Sequence, residues 1–143
     1  MIYHNEKLQE YLSQSEVKWI ILEESAAQEI EARWRKIYGS AFVGRPRLRH
    51  GAKAEYEYQQ EPCSHYLIVP FSARLAGTAV QANRHYLSPY ECHGPLVPLG
   101  DFCGAEFLVC PVDCAWTMIH THEDHSYGGP YFIRAEWLPE TVQ

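Results

Sequence analysis

The sequence predicts an α+β protein in one domain over residues 1–143, with two N-terminal helices packed on one face of a mostly antiparallel sheet. Three observations lead there. A length of 143 residues fits one domain. A composition of 46% hydrophobic and 21% charged residues suits a chain that buries a core without disulfide help. Apolar residues recur at helical spacing only in the first 40 or so positions, and from Ala54 onward the period is two.

Each element follows from its residues. Asn5 is a candidate cap for a short helix through Gln14, with Leu8, Tyr11 and Leu12 as its apolar stripe. Val17-Lys-Trp-Ile-Ile-Leu22 is rich in branched and aromatic residues and predicts a buried strand. Ser25-Ala-Ala-Gln28 has the spacing of a capping box, opening a helix over about 26–38 that places Ala27, Ile30, Trp34 and Ile37 on one face and stops at Gly39. Residues 39–53 mix Gly39, Gly44, Pro46 and Gly51 with arginines and predict a long basic loop. Ala54–Gln59 and Ser64–Phe71 read as strands around a Glu61-Pro62 turn. Residues 74–88 fit a strand or a short helix, and 89–103 a Pro/Gly-rich connection. Glu106–Cys110, Ala115–Thr121 and Tyr131–Trp137 complete the strands, with Gly129-Pro130 restarting the chain before the last.

Charge narrows the function. Eighteen acidic and twelve basic side chains give a net charge of −6. Seven of the twelve cations, Arg33, Arg35, Lys36, Arg45, Arg47, Arg49 and Lys53, fall in one stretch, so the molecule should be polarised. An acidic chain repels phosphate backbones, and no nucleic-acid-binding motif accompanies the patch, which disfavours DNA or RNA as partner. No apolar run is long enough for a membrane span, and the first residues lack a signal pattern, so a cytoplasmic location is expected. The five cysteines, Cys63, Cys92, Cys103, Cys110 and Cys114, are odd in number and lack a Cys-x-x-Cys pair. That favours reduced thiols used as small packing residues.

The richest chemistry lies in His120-Thr-His-Glu-Asp-His125. Alternate histidines leaving a strand point the same way and an Asp–His pair can follow on the turn, so His120, His122 and His125, with Glu123 and Asp124, are candidate metal ligands, joined from elsewhere by His93, Cys92 or His65. His-x-His-x-Asp-His resembles the metal motif of the metallo-β-lactamase superfamily. Residues 126–143, however, contain neither His nor Asp to supply that superfamily's later ligands. The bland alternative is a polar hairpin tip whose side chains cap their own backbone. His122 and Glu123 also have the residue types of a general acid/base pair, or of a tight turn.

A second resemblance covers the same hairpin. Trp116-Thr-Met-Ile-His-Thr-His-Glu123 followed by Gly129-Pro-Tyr-Phe132 resembles an uncharacterised family of small stand-alone bacterial proteins. Those chains end in a Trp-Thr strand, a Thr-His-Glu turn and a Gly-Pro-Tyr-Phe strand. Phe107-Leu-Val-Cys-Pro111 and the early helix bearing Trp34 are similar too. The likeness is best over the last 30 or so residues. Of the cluster, it includes only His122 and Glu123. It implies a shared fold and no particular activity.

These observations point to a small cytoplasmic protein-binding module, most concretely an immunity-type inhibitor of a bacterial toxin, with no cofactor. Arg45, Arg47, Arg49, Lys53, Tyr56 and Tyr58 form its expected binding surface, since aromatic and arginine side chains dominate protein interfaces. The alternative is a small metal-dependent hydrolase that holds zinc with His120, His122 and His125 and uses Glu123 as acid/base. A third reading uses Arg45, Arg47 and Arg49 to bind nucleic acid.

Overall fold

The computed structural model describes residues 2–38, 47–70, 72–76, 79–83, 89–99, 107–120 and 129–138. The chain runs α1 (Ile2–Ser13), β1 (Lys18–Ile21), α2 (Glu24–Tyr38), β2 (Arg49–His50), α3 (Gly51–Gln59) and β3 (His65–Pro70). It continues through β4 (Ser72–Ala76), β5 (Ala79–Asn83), β6 (Tyr90–His93), β7 (Phe107–Pro111), β8 (Trp116–His120) and β9 (Tyr131–Arg134). A 3-10 turn, Ala135–Trp137, follows. Seven strands form one sheet in the order β1-β6-β3-β7-β8-β9-β2, every pair antiparallel, and β4 and β5 pair as a separate ribbon. The predicted α+β class is therefore observed.

The central strands read as near-continuous apolar runs because both faces of the sheet are covered. On one face Tyr66 and Ile68 of β3, Phe107 and Val109 of β7, Trp116 and Met118 of β8 and Phe132 of β9 pack with Leu8 and Leu12 of α1 and Ala54 and Tyr58 of α3. The alternate residues, Leu67, Val69, Leu108, Cys110, Ile119, Tyr131 and Ile133, face the other way and pack under Trp34 and Tyr38 of α2. The expectation of helices on one face is thus corrected: α2 lies opposite α1 and α3. The polar ends of the large aromatics are satisfied. Trp34 Nε1 donates to Thr117 Oγ1 at 2.9 Å, Thr117 Oγ1 donates to the Val109 carbonyl at 3.1 Å, and the Tyr38 hydroxyl donates to the Cys114 carbonyl at 2.6 Å.

Four local expectations change. Ala54–Gln59 is helical, because Ala54 and Tyr58, one turn apart, are both buried and the Tyr58 hydroxyl reaches the Val97 carbonyl at 2.6 Å. α2 starts at Glu24, with the Ala27 N–H donating to the Glu23 carbonyl, so Ser25 sits inside the helix rather than capping it. The strand after Val17 is an exposed edge strand, not a buried one. The expected connection after residue 88 contains β6, while within 74–88 the described residues take the strand of the two expected alternatives.

Candidate functional site

Among the described residues β1 ends the sheet and pairs only with β6. The Leu22 N–H donates to the Pro89 carbonyl at 2.9 Å. Residues that exchange such bonds alternate along an antiparallel pair. Ile20 and Lys18 therefore share the ladder with Glu91 and His93, while the N–H and C=O of Trp19 and Ile21 point away from the sheet. Among the described residues no strand lies on that side. Ile20 is 58% exposed and Ile21 51%, one on each face of the strand. Proteins normally guard such an edge with lysine, proline or a bulge, and β1 carries only Lys18. Exposed Glu16, Glu23 and Glu24 flank it. The strand is firmly seated, with the Trp19 ring edge-on to Tyr90 at 5.4 Å and Trp19 Nε1 donating to Ser13 Oγ at 3.4 Å.

The expected basic surface lies at the far edge, beyond β9. Six strand spacings of about 4.8 Å put β2 roughly 29 Å from β1. Arg49, Arg47 and Arg134 gather over the Trp137 ring at 4.8, 5.6 and 5.5 Å. Glu57 bridges Arg49 at 3.8 Å and Arg134 at 3.7 Å, and Glu61 pairs with Arg134. Arg49 is therefore tied into an internal ion-pair and cation–π cluster. Arg47 is exposed, and so are Lys53 and Tyr56, Tyr56 by 62%, along an open groove also lined by Leu48, His50 and Ala52. Tyr58 is corrected: it is 3% exposed and belongs to the core. Arg45 falls outside the described residues.

The histidine cluster divides. His120 is 6% exposed at the end of β8, opposite Phe107 and on the side of the strand that carries Trp116 and Met118. Burial pushes its pKa down to about 4, so the folded protein holds it neutral. Its ring lies on the core side of β8. His122, Glu123, Asp124 and His125 lie outside the described residues.

A different trio converges. His65 opens β3, and Glu91 and His93 stand two apart on β6, all on the face of the sheet that carries α2. His65 and His93 are directly opposite. The Gly94 N–H donates to the Ser64 carbonyl at 2.8 Å, which makes 65–93 the non-hydrogen-bonded pair, the closer kind. Their rings stack at 4.2 Å and 16°. Glu91 Oε2 lies 2.7 Å from His65 Nε2 and 3.7 Å from His93 Nε2, and the three donor atoms fall within 4.8 Å of one another. Gly94, next to His93, has φ +137°, and a Cβ there would sit 3.1 Å from the Val17 Cα. The sequence marked His65 and His93 only as helpers of the hairpin histidines and passed over Glu91. The signal for Glu91 was its spacing of two from His93 on one short strand, but bringing in His65 requires knowing how β3 and β6 pair.

Cys92, Cys110 and Cys114 are buried and Cys63 half-buried, all as free thiols. Burial pushes the Cys92 thiol up to about 12 and raises Cys63 as well, which opposes thiolate chemistry at either. No family model matches this chain, and no curated protein or solved structure matches it either.

Proposed function

We propose that this protein is a small protein-binding module that captures an extended segment of its partner along β1, most concretely as an immunity-type inhibitor of a bacterial toxin. The observation that carries this is the outer edge of β1, unpaired among the described residues, with the N–H and C=O of Trp19 and Ile21 directed away from β6 and Ile20 and Ile21 more than half exposed. Strand addition supplies affinity through main-chain bonds and specificity through alternate side chains. Glu16, Glu23 and Glu24 around the edge favour a segment whose apolar centre is flanked by Lys or Arg. Nuclease-type toxins carry basic surfaces to hold phosphate, and a net charge of −6 suits an inhibitor that covers one.

The test is fluorescence anisotropy with ten-residue peptides that share an apolar centre and differ in flanks, basic in one set and acidic in the other. Basic-flanked peptides should bind the parent. Binding should be lost in Ile21→Pro, which removes an outward N–H without touching the β6 ladder, as proline is tolerated on the solvent side of an edge strand. Absence of binding by the basic set, or equal binding to a folded Ile21→Pro, would overturn the proposal.

A further inference from the structure

From the arrangement of His65, Glu91 and His93 we infer a binding site for one divalent transition-metal ion, of the zinc or copper class, on the α2 face of the sheet. The inference is independent of strand capture at β1. Two imidazoles and one carboxylate are the donor set such ions favour over magnesium or calcium. Around a tetrahedral ion at about 2.1 Å, donors sit roughly 3.4 Å apart. The observed separations of 2.7 and 3.7 Å bracket that value, and because the two rings lie stacked, both must tilt by side-chain rotation for their Nε2 atoms to meet one ion.

The scaffold is rigid where it needs to be. All three side chains stand on paired strands, and a site on strands keeps its geometry better than one on loops. The site is also reachable. The side chains of His65 and His93 are 45% and 57% exposed and that of Glu91 is 23% exposed, which leaves a coordination position open to water. Binding requires the tautomer of each imidazole with its proton on Nδ1, so His65 gives up its Nε2 bond to Glu91, and the ion takes over that carboxylate. Nearby, Lys18 lies opposite His93 on the neighbouring strand and opposes a cation there. Its removal should therefore tighten binding, whereas loss of a ligand should weaken it.

The experiment is zinc titration by calorimetry on the full chain, with the nitrogen couplings of bound Cu2+ read by electron paramagnetic resonance. The parent should take up one equivalent at this site, with coupling from two imidazoles. His65→Ala/His93→Ala should weaken binding at least tenfold and remove the coupling, and its exposed positions leave the fold intact by circular dichroism. His122→Ala/His125→Ala should keep both signals, and Lys18→Gln should bind more tightly. Uptake that is absent from the parent, that survives His65→Ala/His93→Ala, or that is lost instead in His122→Ala/His125→Ala would overturn the inference.

Discussion

Acid should destabilise this fold through His120, by an amount that follows from its burial. In the unfolded chain the imidazole titrates near 6.5, while in the core at 6% exposure it titrates near 4. Above pH 6.5 both states hold it neutral, and its contribution to stability is complete. As pH falls from 6.5 towards 4 the unfolded chain takes up a proton that the folded one refuses, so stability is lost across that window. At pH 5 the loss comes to about 2 kcal/mol, and below pH 4 it levels off at about 3 kcal/mol. Urea unfolding at pH 7.5 and pH 5.0, for the parent and for His120→Gln, isolates this contribution because every other titrating group is shared. The parent should lose about 2 kcal/mol more than the variant over that interval. Equal losses, or a His120 ring resonance titrating near 6.5 in the folded protein, would refute the reasoning and return His120 to an exposed setting.

Two further outcomes follow from the core. Thr117→Val removes the acceptor of the Trp34 indole N–H and the donor to Val109 in a buried relay. It should cost about 1–3 kcal/mol, a fall of roughly 3–10 °C in Tm for a chain of this size by calorimetry. Trp34→Phe on that background should cost less than on the parent. In a Cys103→Ser protein, Ellman's reagent at pH 8 should modify Cys63 in the native state. Cys92, Cys110 and Cys114 should react only after unfolding, since they are buried and the Cys92 thiol sits near 12. Rapid native modification of all four would contradict the packing described for them.

What was legible in the sequence depended on how local its cause was. α2 was legible because Ala27, Ile30 and Trp34 repeat at helical spacing, and β3, β7, β8 and β9 because both of their faces are apolar. α3 was not, since Glu-Tyr-Glu-Tyr alternates like a strand. The deciding contacts are distant: Tyr58 bonds to Val97, and Glu57 receives Arg49 and Arg134. β6 is four residues between Pro89 and Gly94, too short to show a period. The function-bearing features escaped for the same reason. Whether Val17–Leu22 is central or terminal in the sheet, and whether His65 faces His93, are matters of strand order and register. Neither is written in any one segment.

The clustering of cations was legible, but its meaning was not. Arg47 and Arg49 gather with Arg134 on Trp137, and Glu57 and Glu61 match Arg49 and Arg134, while Arg47 and Lys53 remain exposed. The opposite edge, with Ile20, Ile21 and its flanking glutamates, has no strand beyond it among the described residues, and it is the one proposed to take a partner.

Amide hydrogen exchange along β1, followed by NMR with and without a saturating basic-flanked peptide, tests that claim most directly. In the free protein the amides of Lys18 and Ile20 should be protected by the ladder and those of Trp19 and Ile21 should exchange fast. The peptide should then slow Trp19 and Ile21 selectively. Protection of Trp19 and Ile21 in the free protein, or peptide-induced slowing confined to residues away from β1, would contradict strand capture at this edge.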